Sequence, residues 1–253
     1  MDLPERLKVV LPYIPLCANT KSIMTTAPSE RTRVKRHPER GVYDRDEVFA
    51  ILDEAFVCHI GFVAEEHPQV LPTAYGRIGD DLYIHGSAAS HMLRSLAEGI
   101  DLCVTVTLID GLVLARSSFR HSINYRSVVV YGKARLVTDP SEKMRAMAAF
   151  VDHVVPGRWA EVRIPSEKEM AQTTVLTVRL DEAVAKRRTG PPNDVAEDIV
   201  AERWAGVIPI HTLLGTPIPD AHTSSSLTFD LARFETNGAR THACDVGASV
   251  DAR

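Results

Sequence analysis

From residue 56 to residue 186 the chain is patterned as a succession of strands joined mainly by turns, with helices inserted singly, and this rules against a parallel βαβ architecture. Residues 56–64 are apolar and β-branched with Gly61 inside, and His67-Pro68 marks a turn. Residues 70–77 and 81–85 read as a hairpin around Ile78-Gly79-Asp80. Residues 102–108 are almost continuously apolar, which predicts a strand buried on both faces, and 125–137 form a long strand. Residues 173–180 and 183–186 supply one or two more. Asp44 with Glu47 three residues on predicts a capping box opening a helix over 45–54. Met92, Leu93, Leu96 and Ala97 recur at helical spacing up to Gly99, a C′ residue. Asp139-Pro140-Ser141 opens a helix over 142–154, and 195–204 is weakly helical before the pattern fades after Ile210. The expectation is a mainly β fold, an antiparallel barrel with flanking helices.

The pattern sets the organisation as an N-terminal extension over 1–35, one domain over 36–210 and a C-terminal tail over 211–253 rich in Ser, Thr, Gly and Ala. Met24 is a candidate start within the extension. A net charge of -4 gives no polyanion signal, so a nucleic-acid partner is not expected. The four cysteines, Cys17, Cys58, Cys103 and Cys244, are far apart with no CxxC pair, which excludes a zinc ribbon and gives no disulfide framework. A reducing, cytoplasmic compartment fits. No stretch approaches the ~20 apolar residues of a membrane span. The run Val9–Leu16 is interrupted by Pro12 and Pro15, and bulky Leu16 before Cys17 makes a poor lipoprotein signal.

Dinucleotide, P-loop and nucleophile-elbow signatures are absent, and the ten histidines include no HExxH. His37, His59, His67, His153 and His211 stand alone and read as structural or exposed. Two polar segments remain. In the first, a strand runs through His85 into Gly86-Ser87, then a helix whose first turn holds Ser90, His91 and Arg94, a set suited to a phosphate. In the second, residues 116–127 hold three Arg, four Ser, His121 and Asn124, and read as a loop lining a polar pocket.

The order strand, small polar turn, helix, then a strand beginning Asn124-Tyr125-Arg126-Ser127-Val128 resembles the pyridoxamine 5′-phosphate oxidase superfamily, closest to its nitroimidazole-reductase-like branch, over residues 36–210. That resemblance implies an FMN-binding split β-barrel, a homodimer with the flavin at the subunit interface, and FMN as cofactor. It implies that Ser87, Ser90, His91 and Arg94, beside His85, surround the FMN phosphate, with His91 standing where the family usually has Arg or Lys. Leu71, Pro72 and Thr73 then follow the isoalloxazine edge after Val70. Asn124, Tyr125, Arg126 and Ser127 contact the flavin, Arg126 as a cation near its pyrimidine end. His121 is the expected substrate-side proton donor. The run 186–192 resembles a segment near the dimer-related site, whereas the Arg-Leu-x-Pro ending of true pyridoxamine phosphate oxidases is absent.

The expected function is an FMN-dependent oxidoreductase acting on a small molecule. The alternatives are a flavin- or haem-binding split barrel without turnover, with His85, His91 or His121 as axial ligand, and a deazaflavin-dependent reductase.

Overall fold

The computed structural model describes residues 26–200 and 202–234, with the backbone of Val9–Val10. The expectations resting on Cys17, Met24 and Cys244 lie outside the described residues. In chain order the elements are β1 (Val9–Val10), β2 (Gly41–Val42), α1 (Arg45–Glu54), β3 (Val57–Ala64), β4 (His67–Ala74), β5 (Gly76–Ile78), β6 (Asp81–Ser87), α2 (His91–Ala97), β7 (Asp101–Leu114), β8 (Ser122–Leu136), α3 (Pro140–Val154), α4 (Glu167–Ala171), β9 (Thr173–Arg179), β10 (Glu182–Arg188), α5 (Ala196–Ile199), β11 (Gly206–Pro209) and β12 (Leu213–Leu214). β1 pairs with β12, so backbone from the N-terminal extension meets backbone from the tail.

The fold is mainly antiparallel β with flanking helices, a split barrel whose sheet does not close. Its spine is the β7–β8 pair, in register from Asp101 opposite Lys133 to Val113 opposite Ser122. On one side β7 pairs with β3 over residues 102–105 and with β11 over 111–114, and β4 lies beyond β3 as the sheet edge. The split is on the other side. β10 pairs with residues 125–131 of β8, and β9 pairs with residues 134–136. Only Leu180 and Asp181 separate β9 from β10, and the two lie end to end along β8. β9 leads outward to β6 and β5, β10 to β2.

Strand alternation builds the core. Cys58, Ile60 and Phe62 of β3, Leu102, Val104 and Val106 of β7, and Val128 and Val130 of β8 all point inward. Val48, Ile51 and Leu52 of α1 and Leu93 and Leu96 of α2 close over them. The opposite face is left open, because Val57, Val63 and Ile109 are exposed. The run 102–108 is therefore buried on one face within the chain and not on two, since its outward positions include half-buried Cys103 and exposed Thr107.

Helix 45–54 forms as expected, with the Asp44 carboxylate accepting from the Asp46 and Glu47 amides. Its capping box is half made: the Glu47 carboxylate lies 3.4 Å from Arg187. The full capping box is at α4, between Ser166 and Glu169. The weakly helical 195–204 shrinks to the single turn of α5. The β3–β4 turn lies at Glu65-Glu66, one step before His67-Pro68, with both residues at positive φ (51° and 63°), as a tight hairpin turn requires and non-glycine residues adopt at a cost.

The predicted strand 70–77 divides at Tyr75. Residues up to Ala74 pair with β3, and from Gly76 the chain pairs with β6 instead. Tyr75 is fully buried at this crossing and its hydroxyl donates to the Leu52 carbonyl. Gly76 lies so close to α3 that a Cβ there would sit 2.7 Å from the Phe150 backbone nitrogen. Gly76→Ala is thus expected to destabilise the fold by about 1–3 kcal/mol, as overpacking does, read as a lower midpoint in urea unfolding. An unchanged midpoint would show that α3 yields freely.

Candidate functional site

Arg126 stands at the barrel rim, pointing inward one step before the core residue Val128. Its guanidinium is held between two carboxylates. Nε and Nη2 donate to Asp110 at 2.8–3.2 Å, and Nη1 and Nη2 donate to Glu54, the latter at 2.9 Å. Glu54 arrives as the last residue of α1. Asp110 is aimed by a β-bulge: the β7–β8 register shifts between Ile109 and Gly111, and Asp110 is the extra residue. Burial works against the charge on Arg126. The hydrogen bonds and charges of Glu54 and Asp110 outweigh it and hold the guanidinium above the ordinary arginine range. The triad carries one net negative charge, so Arg126 is a compensated cation. Beside it lies a cavity of about 370 Å³ lined by Ala55, Phe56, His59, Ile109 and, from the strap after β11, Ile210 and His211.

The segment expected to be a loop over 116–127 is loop only to His121. Ser122 onward is β8, paired on both sides from Tyr125. This corrects the loop reading, and the reason is that most of its polar side chains find partners inside the fold. Asn124, 3% exposed, donates to the Gly190 carbonyl at 3.2 Å and accepts from Arg188. Ser127 donates to the Lys186 carbonyl. The Asp194 carboxylate, its side chain 3% exposed, accepts from the Arg116 amide at 3.1 Å and from its Nη1 at 2.9 Å, while the buried Arg116 Nε has no partner. Arg120 donates to the Asn193 carbonyl. The 186–194 run thereby clamps the start of β8. Tyr125 is half-buried. His121 is exposed beside Phe119, itself 90% exposed, and the His121 Nδ1 lies 2.9 Å from the Ser117 carbonyl.

The other segment has the chemistry of an anion cradle. The Ser87 hydroxyl accepts from the Ala89 amide and the Ser90 hydroxyl from the Leu93 amide. Each uses an oxygen lone pair and leaves its O–H free to donate outward. Arg94 is exposed, and His91 lies 3.5 Å from Glu65 in the strained turn. Two hydroxyls, a guanidinium and an imidazole fit a phosphate. His85 faces elsewhere, packed edge-on against Phe150 with ring centroids 4.2 Å apart.

These two segments do not meet within one chain. The cradle adjoins the β3–β4 turn, near where Phe62 pairs with Leu102 and Leu102 with Gly132. Arg126 pairs with Leu108, six residues along β7, or roughly 20 Å at strand rise. Leu71, Pro72 and Thr73 lie on the edge strand β4, with Pro72 opposite His59. Sequence reading set His59 and His211 aside singly; their convergence on one cavity rests on a strap that carries no periodic signal.

Arg126→Met strands Glu54 and Asp110 without their cation and is expected to cost about 3–5 kcal/mol. Glu54→Gln and Asp110→Asn added together should restore most of it in urea titrations; a neutral single variant would remove the triad's structural role. Burial pulls the His85 pKa below the ordinary imidazole value. The folded state then resists a proton that the unfolded chain takes up near pH 6.5, so stability is full above that pH and declines as pH falls below it. His85→Gln should flatten the decline measured between about pH 7.5 and 5, whereas an unaltered slope would count against a buried neutral imidazole.

The comparisons with known proteins agree with this architecture. The family model described as pyridoxamine 5′-phosphate oxidase matches residues 44–187. A solved structure of the flavocytochrome Anf3 from Azotobacter vinelandii is 39% identical, covering 83% of this chain and 98% of that chain, with a TM-score of 0.78. The FAD and heme binding protein from Mycobacterium smegmatis is 35% identical, covering 79% of this chain and 97% of that chain, with a TM-score of 0.73. No curated protein matches. No helix among the described residues is long and apolar enough to cross a membrane. The match over residues 44–187, with two solved relatives similar along nearly their whole length, means that this chain belongs to the pyridoxamine 5′-phosphate oxidase family.

Proposed function

We propose that this protein is a flavin-dependent oxidoreductase of the flavocytochrome kind, carrying FAD together with haem. The observation that supports it most is the likeness, at 39% and 35% identity over 98% and 97% of their lengths, to two proteins described as a flavocytochrome and as binding FAD and heme. FMN, which the resemblance to the family implies, and FAD share the riboflavin phosphate half, so the same cradle would serve either. Ser87, Ser90, His91 and Arg94 would hold that phosphate, and the backbone of Leu71, Pro72 and Thr73 would meet the ring's polar edge. The flavin supplies the redox step when bound; the protein orients it and sets its electrostatics.

A second copy of the chain completes this site in our reading. Val57, Val63 and Ile109 on the open face, with Val70 of β4 at 66% exposed, make an apolar surface of the sort that marks an interface. Covering it with a partner would bring the cradle of one protomer toward the β8 start of the other, bridging the roughly 20 Å between them. His121 keeps the role of proton donor to a small-molecule substrate. Its Nδ1 lies 2.9 Å from the Ser117 carbonyl, which leaves Nε2 to face outward.

Purified protein should show a flavin spectrum, and the cofactor released by denaturation should run as FAD on chromatography. Arg94→Glu removes a charge-assisted contact of ~1.5–3 kcal/mol and should weaken flavin binding about tenfold or more. Protein that is colourless and leaves the fluorescence of added FAD and FMN unquenched would overturn the reading.

A further inference from the structure

The geometry points to the cavity beside Arg126 as the haem pocket, with His59 and His211 as the two axial ligands of the iron; the inference rests on the flavocytochrome reading above. Several other histidines of the described residues have ring partners of their own. His85 packs on Phe150, His91 lies near Glu65, His121 near the Ser117 carbonyl and His153 near the Ala55 carbonyl. His59 and His211 are different. They arrive from separate elements, β3 and the strap after β11, line the same cavity, and are both exposed. The strap is itself held in place, since the Ile210 amide donates to the Asp110 carbonyl at 3.1 Å.

The rest of the lining suits a porphyrin. Phe56, Leu108 and Ile210 offer apolar surface to a flat ring, and a volume of about 370 Å³ is in the range of small-molecule sites. Charge sets the orientation. The triad of Glu54, Asp110 and Arg126 is net negative, so it repels propionates and directs that edge of the ring to solvent. The same negative charge would favour the ferric over the ferrous iron of a bound haem.

Position adds a functional reason. Pro72 sits directly opposite His59 in the β3–β4 ladder, a pairing that places Cβ atoms about 5 Å apart. A haem on His59 would lie against the strand whose residues 71–73 are assigned to the flavin edge. The residues that would hold the two groups thus stand on neighbouring strands.

The test uses full-length protein expressed with haem supplied, with haem content measured as the pyridine haemochrome and spin state by electron paramagnetic resonance. Wild-type ferric protein is expected to be low-spin, as two imidazole ligands require. His59→Ala and His211→Ala should each give a high-spin signal, and added imidazole should restore the low-spin signal in both. Circular dichroism and the unfolding midpoint confirm that each variant folds, and His59→Gln provides a second, larger replacement on the strand. If both alanine variants keep the wild-type spectrum at wild-type haem content, the ligand assignment is wrong while the flavocytochrome reading stands. If wild-type protein takes up flavin but no haem, the haem part of that reading fails and this inference with it.

Discussion

Everything in this fold is referenced to the ladder between β7 and β8. Its register runs from Asp101 opposite Lys133 to Val113 opposite Ser122, and no other strand pair is as long among the described residues. Each strand of the pair serves two different neighbours in succession: β7 takes β3 and then β11, and β8 takes β10 and then β9. A side-chain period of two means that a slip of one residue would invert every inward position at once. Leu102, Val104 and Val106 would leave the core together with Val128 and Val130. The bulge at Asp110 is accommodated only near one end, beyond the span that β3 shares.

That bulge links backbone geometry to charge. It sends a carboxylate toward Arg126, where the end of α1 delivers another, and three ionised groups meet at the barrel rim. A partly buried ion cluster of this kind is worth little as net stability, because desolvation offsets most of its attraction. Its value is specificity: α1, β7 and β8 satisfy the triad in one relative placement. The cavity beside it inherits a fixed floor, and the strap carrying His211 is tied to the same bulged residue through the Asp110 carbonyl.

Much of this was legible in the residues. The hairpin-linked strands identified an antiparallel barrel, Asp44 and Asp139 marked the starts of α1 and α3, and Asn124-Tyr125-Arg126-Ser127 marked the family. Three things were not. The division of 70–77 at Tyr75 depends on a hydroxyl reaching the Leu52 carbonyl and on α3 pressing against Gly76, both long-range contacts. The strand over 122–127 looked like loop because its polar residues are paid for by partners more than fifteen positions away: Asp110, Glu54, Lys186 and Arg188. The convergence of His59 and His211 on one cavity spans most of the chain, and no local periodicity encodes it.

The edge strand β4 contains Pro68 and Pro72, neither of which can donate a backbone hydrogen bond. Proline at a sheet margin interrupts the row of donors that a further strand would need. Growth of the sheet in that direction is therefore terminated chemically, although the margin is long and its Val70 and Leu71 are uncovered. Whatever covers this margin must recognise it by side-chain shape and by the remaining carbonyl oxygens. An exposed greasy border that resists nucleating a cross-chain ladder can be left bare without recruiting further strands.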